Sequence, residues 1–426
     1  MTVPPHIEYR GGRLHIEDVA LDRVAERFGT PTYVYSRAAL CDNLAAYTRA
    51  CRGHDALVCY AVKANSNIAV LNLLAHQEAG FDIVSGGELA RVLAAQGDPK
   101  KVIFSGVGKS RDELAFALQH EILCFNVESI SELRLLDAVA RDEGKIAPVS
   151  LRVNPDVDAR THPYIATGLR ESKFGIPYED ALACYREAAQ LRHLEVIGID
   201  CHIGSQLLDA APLMMALDKL IELADALRGL NITLRHLDLG GGLGIRYKDE
   251  EPIAVETYLA AVFERVAQWR KISHQGKPLK LIFEPGRSIA GTAGVLISKV
   301  RYLKTGSHKN FAVVDAAMND LIRPAMYDAW HEVLPFLQAN AGPKEWDLVG
   351  PVCESGDWLA KGRTLALSEG DLLAFLNSGA YAMAMASNYN TRPRAAEVMI
   401  DGGELHLIRE RESIKDLLAG ERLLPM

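Results

Sequence analysis

Lys63 stands in the run CYAVKANSN (59–67), after a strand-like stretch and among small and apolar neighbours. An ammonium seldom enters a protein interior unpaired, because leaving water costs several kcal/mol or neutralises it. Two readings follow. The side chain is either an amphipathic stem lying along the surface, or a partly desolvated amine, a nucleophile able to form a Schiff base with a carbonyl. Further residues with chemical potential are Asp82 ahead of Ser85-Gly86-Gly87, and Arg152 ahead of Asn154-Pro155. Others are His202 and Ser205 in HIGSQ, Gly241 and Gly242 in GGGLG, and Glu284, Pro285, Gly286 and Arg287 in EPGR. Each has an ordinary alternative. The glycines suit a tight turn before a helix, His202 a core histidine, and EPGR a turn with a surface ion pair.

The elements that would position these residues follow from hydrophobic patterning. Short apolar runs alternate with amphipathic segments from residue 57 onward, the mark of βα units around a parallel sheet. Eight candidate strands are legible: 56–62, 80–84, 101–105, 122–127, 148–153, 195–203, 234–239 and 280–284. Three intervening helices open with Ser-x-x-Glu pairs, Ser85/Glu88, Ser110/Glu113 and Ser129/Glu132, which read as capping boxes. Eight successive units predict an α/β fold with a closed (β/α)8 TIM-type barrel over residues 36–290. Beyond residue 290 the runs GVLISKVRYL, NFAVVDAA, TLALS, LLAFLNS and EVMIDGGELHLI are strand-like, and the last holds a Gly-Gly hairpin signal. Residues 1–35 plus 291–426 are therefore expected to form a second, mostly β domain, a sandwich or barrel, with RLHIE packed on it.

Composition narrows the partners. The 426 residues are 49% hydrophobic and 24% charged with a net charge of -8, which offers no basic footprint for nucleic acid. Seven scattered cysteines without a C-x-x-C pair argue against a disulfide framework and a zinc site, so no metal is expected and a reducing cytoplasm fits. The N-terminal stretch lacks an apolar signal region and no apolar run approaches membrane-spanning length. Small molecules are the expected partners, with neither nucleic acid nor membrane.

In a barrel of this kind chemistry gathers at the C-terminal strand ends, where the residues above fall. Together they suit a phosphorylated ring bearing an aldehyde. Glycine amides with Ser205 and the Gly286 amide can hold a phosphate. Glu284 can keep a pyridine nitrogen protonated, His202 can stack on the ring, and Lys63 can condense with the aldehyde.

YAVKAN, HIGSQ, DLGGGLG, EPGR, CESGD and GAYAMAMASNYN, in this order and across nearly the whole chain, resemble the fold-type III pyridoxal-phosphate decarboxylases, whose barrel is alanine racemase-like. THPYIATGLRESKFGI (161–176), GPVCESGD (350–357) and RPAMY (323–327) are similar to the diaminopimelate decarboxylase branch. The resemblance implies pyridoxal 5'-phosphate on Lys63, with Asp82 and Arg152 near it. Gly241, Gly242, Ser205, the Pro285-Gly286 segment and Tyr381 would be at the phosphate, Glu284 at the ring nitrogen and His202 on the ring face. It further implies that Arg287, Arg323, Tyr327 and Tyr381 meet the substrate, the arginines and Tyr327 at its distal carboxylate. Glu354 would meet its distal ammonium, and Cys353 would return the proton after carbon dioxide leaves. Cys353 and Glu354 would come from the second subunit of a homodimer with shared active sites. The implied reaction is decarboxylation of meso-diaminopimelate to L-lysine. An ornithine or arginine decarboxylase and a non-catalytic regulatory relative are the alternatives.

Overall fold

A computed structural model describes residues 3–158, 167, 172–274, 279–338 and 342–426. The chain divides into two compact units: Asn43–Arg246 with Glu250–Ile289, and Met1–Asp42 with Tyr247–Asp249 and Ala290–Met426.

In the first unit eight parallel strands close on themselves. In chain order they are Ala56–Ala61, Gly80–Ile83, Val102–Phe104, Cys124–Val127, Ala147–Asn154, Leu194–Asp200, His236–Asp238 and Lys280–Phe283. Each pairs with the next, and the eighth returns to the first through Leu281 opposite Ala56. Cys59, Ile103, Cys124, Ile197 and Ile282, from five strands, form one interior cluster. Residues two farther along a strand share its face, so the interior continues upward from Cys124 to Asn126 and from Ile282 to Glu284. The helices cover the outside with apolar stripes. In Ile130–Asp142 the buried Leu133, Leu136, Val139 and Ala140 recur at helical spacing, each buried leucine contributing roughly 1.5–3 kcal/mol.

The eight expected barrel strands all form, most with shorter ends, while the fifth, Ala147–Asn154, runs one residue past its expected bounds on each side. The first stops at Ala61, and Lys63 lies on the 3-10 turn Val62–Ala64 that follows it. The sixth stops at Asp200, leaving His202 in the loop rather than on the strand. Of the three expected capping boxes only Ser110/Glu113 is reciprocal. Ser85 and Ser129 accept from the amides of Glu88 and Glu132. The glutamates reach one residue farther back, to the amides of Val84 and Glu128, because these helices leave their strands through a tighter loop.

The second unit is built on a mixed sheet in the order Trp358–Leu365, Lys344–Val349, Asn310–Val314, Gly294–Thr305, Thr32–Ser36, Ala396–Asp401 and Glu404–Arg409. The last two are joined through Gly402-Gly403, as expected for a hairpin. Alternate residues enter two cores: Tyr33, Tyr35 and Leu296 one, Val34, Val295 and Ile297 the other. The second core also takes Leu14 and Ile16 of the N-terminal strand Arg13–Ile16, so that run does pack on this unit. Thr32–Ser36, Val333–Pro335 and Lys344–Val349 are strands that patterning did not foresee. TYVYS carries the aromatic and β-branched composition of a strand, but its neighbours read as a boundary.

Candidate functional site

The loops at the C-terminal mouth of the barrel are held by their own side chains. After Lys63, the Asn65 side chain accepts from the Asn67 amide, and Asn67 caps the helix Ile68–Ala75 through the Ala69 amide. The lysine is thus presented on a short rigid turn, its Nζ 2.6 Å from Oδ2 of Asp82. Asp82 is fully buried while the lysine side chain is 36% exposed, so this amine is paired and wet at one side. Strand one is tied to the EPGR segment by the Ala61 amide on the Pro285 carbonyl, at 3.1 Å.

Glycines 240–242 run between the loop after strand six and the end of strand eight. A Cβ on Gly241 would overlap the Glu284 carbonyl oxygen. Gly242 has a φ of 118°, which L-residues avoid, and a Cβ there would lie 2.6 Å from the Gly204 carbonyl oxygen. The two loops are zipped together. The Leu207 amide meets the Gly242 carbonyl at 2.9 Å, the Gly244 amide meets the Leu207 carbonyl at 2.8 Å, and the Gln206 side chain clasps both backbone groups of Ile245. The Gly241 amide donates to Nδ1 of His202 at 3.2 Å, so the ring carries any proton on Nε2. Burial, then the charges of Arg152 and Lys63, push His202 well below the usual histidine range, and the imidazole is neutral. The guanidinium of Arg287, itself buried, donates to Oγ of Ser205 at 2.9 Å.

Beneath these loops lies a buried carboxyl layer. Oxygens of Asp200, Asp238 and Glu284 lie within 4.8 Å of one another. Burial and then the neighbouring acids Asp238, Asp82 and Asp200 push the Glu284 carboxyl well above its ordinary range. Arg152 sits at the layer's edge, 3.1 Å from Glu128 and 4.0 Å from Asp200, over the Phe174 ring. Glu128 also accepts from the amides of Gly106 and Gly175, so one carboxylate joins the loops of strands three, four and five.

The barrel brings together Lys63, Asp82, Arg152, His202, Ser205, Gly241, Gly242, Glu284, Pro285, Gly286 and Arg287. The other expected residues belong to the second unit. Arg323 opens the one-turn helix Arg323–Tyr327 and is buried, with Nη1 3.0 Å from Nε2 of His331 and its guanidinium over the Tyr247 ring. His331 directs Nδ1 at the Leu376 carbonyl, 2.8 Å away, so Nδ1 carries the hydrogen and Nε2 accepts from the arginine. Tyr381 takes a φ of 55°, a left-handed conformation unusual for an aromatic residue. Cys353 and Glu354 are exposed, and the Cys353 amide is held by Asn390 at 2.9 Å. Of the motif at 161–176, residues 161–166 and 168–171 lie outside the described residues.

Sequence reading did not single out Asn126, Glu128, Asp200 or Asp238. For the aspartates a signal existed: like Glu284, each ends an apolar run, EVIGID and LRHLD. Glu128 gives none, since a polar residue between a strand and a helix cap is ordinary.

The barrel mouth fits a phosphorylated pyridine aldehyde. An amine and a buried acid are both in place, with Oε1 of Glu284 buried and without a hydrogen-bond partner, and the glycine segment leaves no room for a side chain.

Comparison with known proteins agrees. Residues 38–291 match the pyridoxal-binding domain of the pyridoxal-dependent decarboxylases. The diaminopimelate decarboxylase of Pseudomonas aeruginosa is 59% identical over 98% of this chain and 99% of its own. Among solved structures, diaminopimelate decarboxylase from M. jannaschii in complex with L-lysine superposes with a TM-score of 0.95 at 36% identity, covering 100% of this chain and 99% of that one. The Helicobacter pylori enzyme, also with L-lysine, gives 0.88 at 41%, covering 93% and 98%. The chain thus belongs to the diaminopimelate decarboxylase family of pyridoxal-dependent decarboxylases.

Proposed function

We propose that this chain decarboxylates meso-diaminopimelate to L-lysine and carbon dioxide with pyridoxal 5'-phosphate as cofactor. The observation that carries the reading is Lys63 beside the buried Asp82, with Glu284 across the same mouth, in a chain 59% identical to a diaminopimelate decarboxylase. The bound cofactor supplies an electron sink for the pair released when the α-carboxylate leaves.

The chain's own residues do the rest. Lys63 holds the cofactor covalently, and Asp82 orients its amine by accepting a hydrogen from Nζ. The amides of Gly241 and Gly242, with Ser205, the Pro285-Gly286 segment and Tyr381, hold the phosphate. The neutral His202 presents its ring face without adding a charge, and Arg152 keeps the carboxyl layer in place. Glu284 faces the ring nitrogen. Arg287, Arg323, Tyr327 and Tyr381 bind the substrate, the two guanidiniums suiting a distal carboxylate as planar forks. Ornithine has no such carboxylate, so these buried guanidiniums would lack an anionic partner from the substrate, at a cost of about 1–3 kcal/mol.

Cys353 and Glu354, exposed on the single chain, serve the site of a second copy: Glu354 takes the distal ammonium and Cys353 returns the proton. The active species is a homodimer with shared active sites, working in the cytoplasm. Among the described residues no helix is long and apolar enough to cross a membrane.

The test is carbon dioxide release from meso-diaminopimelate, ornithine and arginine side by side. Preference for ornithine or arginine refutes the assignment. In Lys63→Ala, borohydride labelling of the chain by the cofactor and turnover should both be lost, and normal turnover there would end the proposal.

A further inference from the structure

Five carboxyl groups crowd the barrel's upper interior, on strands two, six and seven, just past the end of strand eight and in the loop after strand four: Asp82, Asp200, Asp238, Glu284 and Glu128. Lys63 and Arg152 are the cations that bear most on Glu284 and Asp200, and His202 above them is neutral. Asp82 is matched by Lys63 at 2.6 Å and Glu128 by Arg152 at 3.1 Å. Asp200, Asp238 and Glu284 then share what remains, with oxygens within 4.8 Å of one another and almost no access to water. Three like charges so close in a dry interior are not all sustained, so protons remain on the cluster at neutral pH.

The local partners say where. Asp238 accepts from the Gly240 amide through Oδ1 at 2.9 Å, which favours its charged form. Asp200 has the Arg152 Nε 4.0 Å from its Oδ2. Glu284 has no comparable donor on Oε1, which is buried and lacks a hydrogen-bond partner, as does Oδ2 of Asp238. We propose that in the cofactor-free protein Glu284 is a neutral acid hydrogen-bonded to Asp238, so the site already holds the proton that the ring nitrogen needs. On cofactor binding the proton passes from the Glu284 carboxyl to the ring nitrogen, leaving a carboxylate against a cation with charge conserved. Asp238 is then a positioning residue, aiming the Glu284 carboxyl and biasing it toward its protonated form. All three carboxyls are displaced upward, Asp200 and Glu284 well above their ordinary range and Asp238 to about 7, which agrees with protons shared over the cluster; the contacts above favour Glu284 as their main holder.

The inference rests on Glu284 facing the ring nitrogen and is tested without turnover. Infrared spectra of the full-length protein, stripped of cofactor, at pH 7.5 should show the carbonyl band of a buried carboxylic acid. The band should be lost in Glu284→Gln and lost from the wild type on adding pyridoxal 5'-phosphate. In Asp238→Asn it should remain but titrate at lower pH, because a neighbouring negative charge is gone. Absence of the band, its loss in Asp238→Asn with retention in Glu284→Gln, its survival after cofactor binding, or a stoichiometric metal ion on the cluster would each overturn the proposal. If Glu284→Gln fails to fold, the Asp238→Asn and cofactor arms still decide. A missing band leaves the substrate assignment standing, whereas preference for ornithine with the band intact defeats the assignment alone.

Discussion

Gly242→Ala tests whether the glycine run is a cradle or merely a turn. The native φ of 118° is unfavourable to any L-residue, and the new Cβ would lie 2.5 Å from Leu207 Cδ1 and 2.6 Å from the Gly204 carbonyl oxygen. Leu207 can rotate away, but the Gly204 carbonyl is backbone. It precedes Ser205 in the loop zipped to the glycine segment through Leu207. Strain of about 1–3 kcal/mol for the backbone and about 1–3 kcal/mol for the overlap predicts a loss of roughly 2–6 kcal/mol. At about 2–4 °C per kcal/mol for a unit of this size, the melting temperature should fall by roughly 4–24 °C. Cofactor affinity should fall as well, about tenfold or more, because moving donor atoms by a few tenths of an ångström forfeits short charge-assisted bonds worth about 1.5–3 kcal/mol each. Gly108 is the control: it is exposed, and a methyl group added there would meet nothing within 4 Å, so Gly108→Ala should stay within about 0.5 kcal/mol of wild type. Differential scanning fluorimetry and absorbance titration with pyridoxal 5'-phosphate read the two effects. A Gly242→Ala protein with unchanged melting temperature and cofactor affinity would refute the reasoning.

Mixing Lys63→Ala with Cys353→Ala protein and allowing subunits to exchange should restore up to about a quarter of wild-type turnover, since a mixed dimer rebuilds one of two shared sites; no recovery in a verified mixed dimer would refute sharing. Burial raises Glu88 from 4.5 to about 7, so the folded state keeps a proton that the unfolded chain releases and stability falls as pH rises between those values. Glu88→Gln should therefore flatten urea-derived stability over that window by about one proton, and an unchanged slope would count against the assignment. Lys109 is buried with its ammonium on the carbonyls of Gly106 and Asn126 and on Glu132, all within 2.8 Å. Lys109→Met strands Glu132 and should cost on the order of 3–5 kcal/mol, with partial recovery in Lys109→Met/Glu132→Gln; a single variant as stable as wild type would defeat that reading.

The eight-strand barrel was legible along the chain, because each strand is a short apolar run between amphipathic helices and that order leaves few ways to bury both. So was the chemical inventory, since Lys63, HIGSQ, GGGLG and EPGR fall in the loops after strands one, six, seven and eight whatever the fine geometry. Helix starts showed through their serine caps, although two of the three glutamates bond one residue away from the expected amide. Which charges meet is a matter of packing in three dimensions. Asp82 and Lys63 are nineteen positions apart in sequence and 2.6 Å apart in space, while Asp200, Asp238 and Glu284 come together only when three strands enter one closed interior. Their protonation depends on distance and on exclusion of water, and neither is written in local sequence. The N-terminal strand Thr32–Ser36 escaped notice for a related reason: its partners Gly294–Thr305 and Ala396–Asp401 lie more than 250 residues away, and pairing at that range leaves no periodic trace near the strand itself.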